Sequence, residues 1–268
     1  MSSSRYWNAR GVVSRLRQAR PCLSRLRMAA AAAVACFVAG NAAANPTGMQ
    51  VVAGQVSAVT SGNQLLITNS PGTILNWQSF SVMPGELTKF LQQSSSSSVL
   101  NRITGQNPSQ ILGALQSNGK VFLINPNGIV FGAGSRVDVN GLVASSLNIS
   151  NADFLAGHLK FSSTGTPGNI SNSGGIITPS GGQVYLIAPN VTNTGIITSP
   201  GGDVLLAAGH SVDLADSNDP DVRVVVSAPG DQALNVGKVV AESGRVGVYG
   251  ALTTTRTSGS LESARSTL

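Results

Sequence analysis

Residues 169–188 read "NISNSGGIITPSGGQVYLIA", and after Pro189 a second version, "NVTNTGIITSPGGDVLLAA", occupies 190–208. Asn172 recurs as Asn193 after 21 residues, and Ile176 recurs as Ile196 after 20. Each unit contains a turn, a short apolar strand, a Gly-Gly turn and a longer apolar strand. Repeats of about 20–29 residues are typical of solenoids, in which each unit buries its apolar face against the next.

The same pattern of glycine, polar residue and apolar run recurs elsewhere in the chain. It begins at Gly119, Gly182, Gly202 and Gly244. Leucine-rich repeats have a similar length, but their leucine spacing and helical segment are missing. We therefore predict an all-β protein, a right-handed parallel β-helix with coils of ~20–21 residues, each rising ~4.8 Å. The recurring glycine is expected to supply a positive φ at each corner, and 111–250 has room for about seven coils.

Two further kinds of local structure are expected outside this pattern. Residues 45–100 repeat less clearly, and they contain Trp77 and Phe80, so a distinct N-terminal β cap is predicted there. Helical spacing occurs at 108–116, with Ser109 as the candidate cap, and at 151–157, with Asn151 in that role.

Residues 1–44 have the features of an extended secretory signal peptide. Seven arginines precede the apolar run "MAAAAAVACFV" at 28–38, which is about half the length needed to span a bilayer. Small residues favour cleavage between Ala44 and Asn45. The predicted organisation is therefore a signal at 1–44, a β-helix domain at 45–250 and a disordered tail at 251–268 that lacks the coil pattern.

The charge of the chain is concentrated in this leader. The formal net charge is +6, but residues 1–44 carry seven arginines and no acidic residue, which leaves 10 basic and 11 acidic side chains in 45–268. We therefore expect no nucleic-acid partner and no stable membrane span. Both cysteines, Cys22 and Cys36, lie in the leader, so the mature chain would contain none, as suits a chain that crosses a second membrane unfolded.

The region 74–147 resembles the secretion domain of filamentous haemagglutinin-type exoproteins, the secreted partners in two-partner systems of Gram-negative bacteria. The high-molecular-weight adhesin branch is the most similar, and "INPNGIVFG" at 124–132 is the most specific motif. The resemblance implies a parallel β-helix with an N-terminal cap. It also implies recognition in the periplasm by an outer-membrane β-barrel transporter, followed by folding outside the cell.

The site residues carried over from the family form one motif and one weaker set. The motif is Asn125, Pro126, Asn127, Gly128 and Ile129. Asn-Pro-Asn-Gly is also a strong tight-turn sequence, so the motif either recognises the transporter or shapes a coil corner. The second family motif, Asn-Pro-Asn-Leu, is absent, and Asn101, Arg102 and Ile103 are the weaker candidates in its place.

No catalytic residue, cofactor or metal is expected. The one acidic cluster comprises Asp213, Asp216, Asp219 and Asp221, and a solvated loop is preferred there over a calcium site because the spacing matches no known calcium repeat. His158 and His210 lie near no nucleophile in sequence and are interpreted as ordinary polar residues. Triplets Asn-x-Ser/Thr at Asn148, Asn169 and Asn190 do not select glycosylation.

The sequence thus predicts a non-enzymatic secretion domain, exported through the periplasm and then secreted or bound at the cell surface. A host-cell or surface receptor is a possible further partner. The alternatives are a free-standing adhesin or surface-binding β-helix module, a truncated fragment of a large adhesin, and a polysaccharide-active β-helix enzyme.

Overall fold

The computed structural model describes residues 45–163, 165–214, 231–255 and 260–267. The predicted signal peptide at 1–44 lies outside the described residues. So do Asp216, Asp219 and Asp221 of the acidic cluster. The described chain is built almost entirely of strands, with a single short helix, α1, at Asn151–Ala156. In chain order the strands are β1 Gln50–Ala53, β2 Val56–Ser61, β3 Gln64–Asn69, β4 Thr73–Trp77, β5 Leu87–Leu91, β6 Ser98–Ile103, β7 Ser109–Ile111, β8 Ala114–Ile124, β9 Ile129–Phe131, β10 Arg136–Ser145, β11 Asn148–Ile149, β12 Leu159–Ser162, β13 Ile170–Asn172, β14 Gly175–Ile177, β15 Gln183–Ala188, β16 Asn190–Asn193, β17 Ile196–Thr198, β18 Asp203–Ala208, β19 Ser211–Leu214, β20 Gln232–Asn235, β21 Lys238–Tyr249, β22 Leu252–Thr255 and β23 Ser260–Thr267.

Parallel pairing stacks these strands on three faces of a coil. Face A comprises β3, β5, the first half of β8, the first half of β10, β14, β17 and the first half of β21. Face B comprises β4, β6, the second halves of β8 and β10, β15, β18 and the second half of β21. Face C comprises β7, β9, β13, β16, β20 and β22. The predicted parallel β-helix is confirmed.

The N-terminal cap closes the stack with antiparallel strands. Strand β1 pairs with β4, and β2 pairs with β3, both in antiparallel register. No charged residue occurs from Asn45 to Gly85. Trp77 packs edge-on against Phe80, with ring centroids 5.5 Å apart, and this aromatic pair fills the first coils. The expected cap is therefore present, and aromatic burial stabilises it.

One stretch of the β-helix keeps the predicted repeat. Two long segments, called excursions here, leave the coil and interrupt the repeat elsewhere. Gly175 pairs with Ile196, an interval of 21, whereas Arg136 pairs with Gly175 and Ile196 with Lys238 at wider intervals. Both excursions leave the coil between face B and face C. They meet as the antiparallel sheet β11–β12–β19, with α1 beside it. From β8 to β21 inclusive, face A consequently holds five strands, fewer than the seven coils predicted.

The coil interior and the outside of face B form two separate apolar clusters. The interior cluster runs through the coils from Leu65 to Val248 and includes Leu123, Leu142, Leu186 and Leu206. The second cluster lies between face B and the excursions. Its members include Phe122, Phe154, Phe161, Tyr185 and Val212. Face B strands are thus buried on both sides, which explains their continuous apolar runs.

Both helix predictions need correction. The helix predicted at 108–116 is instead β7 and the start of β8, because Ile111 and Leu115 are inward residues on successive coils with a corner between them. Gly113 makes that corner, where a Cβ would collide with the carbonyl oxygen of Met83. The second helix exists, but Ser150 is its cap, with Oγ accepting from the amide of Asp153 (3.0 Å).

The recurring glycines also have a different cause from the one expected. A Cβ on Gly202 would collide with the carbonyl oxygen of Gly182, and one on Gly244 with that of Gly202. The positive φ belongs to the residue before each repeated glycine: +79° at Gly181, +61° at Gly201 and +60° at Ser243. Close approach of successive coils therefore requires the repeated glycine.

Within the predicted tail at 251–268, the described residues 252–255 and 260–267 form strands. Strand β22 pairs in parallel with β20, and β23 pairs in parallel with β21, so the coil pattern continues.

Adjacent isoleucines of β14 provide a matched test of the interior. Ile176 is fully buried, and Ile177 on the outer side is 37% exposed. We expect Ile176→Ala to lower the free energy of unfolding by about 2–5 kcal/mol, since it leaves a cavity in a packed interior. Ile177→Ala should cost less than about 1 kcal/mol. Urea unfolding of both variants checks this, and equal losses would contradict the assigned register.

Candidate functional site

The motif at 125–129 forms the corner between face B and face C of one coil. Asn125 follows β8 directly, and its backbone amide donates to the carbonyl of Ser145 in the next coil (2.9 Å). The amide of Gly128 donates to the carbonyl of Asn125 (2.9 Å), which closes a four-residue turn. Ile129 then begins β9 with its side chain in the interior.

The side chain of Asn125 ties this corner to the preceding coil. It is fully buried. Its Nδ2 donates to the carbonyl of Asn107 and to Ser109 Oγ, both at 3.0 Å, and its Oδ1 accepts from the amide of Asn127 (2.9 Å). Because donor and acceptor groups of the amide are both satisfied, alanine at this position would leave several buried groups without partners.

Asn127 and Gly128 complete the corner. Asn127 Nδ2 donates to the carbonyl of Gly105 (2.8 Å), again in the preceding coil. Gly128 has φ +102°, and a Cβ there would lie 2.7 Å from the carbonyl oxygen of Asn169. Pro126 is exposed and Asn127 is half-buried, whereas the remaining motif residues are buried. The folded motif therefore offers the solvent little beyond the proline ring and one side of Asn127.

The weaker candidates lie on β6, directly beneath this corner. Strand β6 pairs with β8 so that Arg102 lies opposite Ile124, and Gly105, the partner of Asn127, follows two residues after Ile103. Ile103 is buried in the interior. The structure thus brings the two sets together at one edge of two successive coils.

Asn101 links the cap to the coil above it. The buried Oδ1 accepts from Trp77 Nε1 (2.9 Å), and the Nδ2 donates to the carbonyl of Phe122 (3.2 Å). Three successive strands of face B are therefore joined through one amide side chain. The indole N–H of Trp77 is satisfied by this bond, which a buried tryptophan needs.

Arg102 holds the first excursion against the coil. Its guanidinium donates to Asn148 Oδ1 (3.1 Å), to the carbonyl of Ile149 (2.7 Å) and to Asn151 Oδ1 (2.9 Å). Burial lowers the pKa of Arg102 from its ordinary value, although the group remains a cation at neutral pH. These bonds fix β11 and the start of α1.

A buried asparagine ladder connects later coils. Asn172 Nδ2 donates to Asn193 Oδ1, and Asn193 Nδ2 donates to Asn235 Oδ1, both at 2.8 Å. The Oδ1 of Asn172 accepts from the amide of Gly174 (3.1 Å), which fixes the orientation of the first amide. Every donor therefore points toward the later coil. The 21-residue repeat of Asn172 and Asn193 signals the first step, but the excursion hides Asn235 from sequence inspection.

The remaining charged and histidine candidates either lie close to an oppositely charged side chain or fall outside the described residues. Asp213 pairs with Lys160 (3.7 Å), His158 lies 3.8 Å from Asp153, and His210 lies 3.5 Å from Asp231. Within the described part of the chain, no group of three His, Cys, Asp or Glu side chains could hold a metal. Likewise, no helix among those residues is long and apolar enough to cross a membrane.

The asparagines of the glycosylation triplets already have partners. Asn190 Nδ2 donates to Asn169 Oδ1 (3.0 Å), while Asn148 accepts from Arg102. Asn45, the residue after the predicted cleavage, is buried, and its Nδ2 donates to the carbonyl of Asn63 (3.2 Å). The chain is therefore anchored to the cap from its first described residue.

Comparison with known proteins places this arrangement in a family. The family model of the TPS secretion domain matches residues 42–258 of this chain. The chain belongs to the TPS secretion domain family. It is similar to the HMW1 secretion domain from Haemophilus influenzae in its crystal structure, with a TM-score of 0.76 and 37% identity, covering 79% of this chain and 57% of that one.

Two relatives from Haemophilus influenzae are named heme/hemopexin-binding protein. One, from strain ATCC 51907 / DSM 11121 / KW20 / Rd, is 39% identical over 105 residues, which is 39% of this chain and 12% of the relative. The other is 33% identical over 94 residues, covering 35% of this chain and 10% of the relative. The matched segment is thus a small part of much longer proteins.

The ladder can be tested with two asparagines of β16. Asn193→Ala removes a buried amide and leaves Asn172 Nδ2 and Asn235 Oδ1 unpaired, so we expect a loss of about 2–4 kcal/mol in unfolding free energy. Asn190→Ala removes an exposed rung and should cost about 1 kcal/mol or less. Thermal and urea unfolding measure both changes, and similar costs would show that the buried ladder adds no stability.

Arg102 can be tested against an exposed arginine. Arg102→Met should increase amide hydrogen exchange in 148–156 by about tenfold or more, because loss of roughly 1.4 kcal/mol of local stability changes opening tenfold. Arg136, whose side chain is 64% exposed and pairs with Asp138, is the control. If Arg136→Met changes exchange in 148–156 equally, Arg102 does not hold the excursion.

Proposed function

We propose that this chain directs its own export as the secreted partner of a two-partner system. In this proposal, the leader opens the inner-membrane route and an outer-membrane β-barrel transporter recognises residues from 45 onward in the periplasm. The β-helix then forms outside the cell. Membership of the TPS secretion domain family over residues 42–258 is the observation that carries the proposal.

The geometry of the described coils supports folding in the direction of export. In the cap, antiparallel strands pair with the backbone groups at the N-terminal end of the stack. Each later coil then forms parallel backbone hydrogen bonds with the preceding coil. In the buried ladder Asn172–Asn193–Asn235, each amide donates to the next asparagine along the chain, so the first two offer a donor that the following coil accepts. Since every added coil is stabilised by its neighbour, folding outside would disfavour backward movement of the chain.

For the motif at 125–129, we propose a role in shaping the corner that decides whether the first coils can fold. The support is that the side chains of Asn125 and Ile129 are buried in the folded state and that the asparagine amides bond to the preceding coil. The transporter would then meet these side chains only before folding. Export should therefore depend on Asn125 more than on the exposed Pro126.

The proposal assigns no catalytic role to the chain, in keeping with its membership of the TPS secretion domain family. Haem or haemopexin binding, the property in the relatives' names, belongs to those proteins. Most of their length lies outside the matched segment.

Secretion in a host with and without a cognate transporter tests the proposal. We expect transporter-dependent release of the chain into the medium or onto the surface, and retention in the periplasm when the transporter is absent. The double variant Asn125→Ala/Asn127→Ala should lower release at least about tenfold, because it removes buried bonds worth a few kcal/mol. Pro126→Ala should be released at close to the wild-type level.

The outcomes separate the claims. Equal release with and without the transporter would overturn the export function. Normal release of the double variant would remove the corner from the mechanism. A strong defect in Pro126→Ala with unchanged stability would instead show that the exposed surface of the motif contacts the transporter.

A further inference from the structure

The two excursions leave an open cleft on the outside of face B. Strand β12 and helix α1 come from the first excursion and β19 from the second, and together they form one wall. The opposite wall is the edge of face B near Lys120 and Gln183. The cleft has a volume of about 560 Å³, within the range of ~300–1,000 Å³ typical of small-molecule sites.

Aromatic rings form the floor of this cleft. Phe122 on β8 and Phe154 on α1 contact each other edge to face, with centroids 5.1 Å apart and planes at 75°. Tyr185 on β15 lies beside them. Burial raises the pKa of Tyr185, so its hydroxyl stays protonated at neutral pH. The floor is thus apolar and aromatic, with three largely buried rings, each exposing only a small part of its surface to the cleft.

A missing side chain opens the wall around Lys120. Gly141 lies between Lys120 and Gln183 in the ladder of face B, and a Cβ there would be 3.1 Å from Lys120 Cγ. Across this gap Lys120 Nζ lies 3.4 Å from Gln183 Oε1. Among the described residues, no carboxylate lies within ion-pair distance of Lys120. Lys120 is half-buried, lines the cleft and has a neutral amide oxygen as its neighbour in place of a counter-charge.

The rim adds neutral hydrogen-bonding groups and a second cation. Ser96 and Ser98 line the cleft, and Asn140 Nδ2 fixes their loop by donating to the carbonyl of Ser95 (2.9 Å). Lys160 stands on the opposite wall, 3.7 Å from Asp213. The lining therefore holds two lysines and one aspartate, and this excess of positive charge favours an anionic ligand.

We propose that this cleft binds a sugar ring bearing a carboxylate, of the hexuronate class. The C–H face of a pyranose would pack on the aromatic floor, and its hydroxyls would bond to the serines, Gln183 and Tyr185. Its carboxylate would take Lys120 as partner through a charge-assisted hydrogen bond. This binding function goes beyond export and does not depend on recognition by a transporter.

Titration of the purified protein with D-glucuronate, followed by ¹⁵N amide shifts or calorimetry, tests the proposal. D-Glucose lacks the carboxylate, and acetate lacks the ring. We expect glucuronate to bind about tenfold more tightly than either, since a hydrogen bond to a charged group is worth roughly 1.5 kcal/mol or more. Shifts should fall on residues around 120–122, 141–143 and 183–185.

Two variants and one control assign the binding to this cleft. Lys120→Met should reduce glucuronate affinity about tenfold, to the level of glucose. Gly141→Ala keeps the charge but places a methyl group against Lys120, and it should also weaken binding. Lys89→Met, on β5 of face A, removes a lysine outside the cleft and should bind as the wild type does.

The remaining results overturn the proposal. Equal affinity for acetate and glucuronate would leave a simple carboxylate contact without a sugar site. Equal affinity for glucose and glucuronate, or unchanged binding in Lys120→Met, would remove the role of the lysine. Absence of saturable shifts would remove the site. Lys120→Met should be exported normally, so failure of this site is distinguishable from failure of the export function.

Discussion

Coil-on-coil hydrogen bonding is the constraint on which the rest of this molecule depends. A parallel strand in a β-helix satisfies its backbone groups only through the coils before and after it, because its own coil runs in a different direction on each face. The glycines at 182, 202 and 244 follow from this requirement, since a side chain at any of them would push successive coils apart. The apolar interior then fills the space that the backbone defines.

Where polar side chains are buried, they follow the same axis. Asn101, Asn125 and Asn193 each bond to a neighbouring coil, so their amides extend the backbone ladder to the corners. An amide carries both donor and acceptor groups and can therefore repeat indefinitely along a stack. Burial of these residues costs little while the ladder is complete, and register errors become expensive because they separate the partners.

Much of this architecture could be predicted from sequence because the same residue types recur at intervals close to the coil length. The interval from Asn172 to Asn193 equals the coil length of 21 residues, whereas the isoleucine alignment was one residue short because Ile176 pairs with Ile197. The helix at 108–116 was mispredicted because Ile111 and Leu115 reproduce helical spacing across a corner, and local patterns do not distinguish the two. Lys120, Gly141 and Gln183 are far apart in sequence, and only the stacking register brings them together. The cleft therefore could not be predicted.

The corner between face B and face C has a consequence for how such chains evolve. Both excursions leave at this corner, yet the strands on either side of them keep their pairing, as the alignment of Ile196 with Lys238 shows. Residues can therefore be inserted at this corner without changing the strand pairing of the coils on either side. A longer loop at this corner can add a new surface, while the stacked coils keep the same contacts.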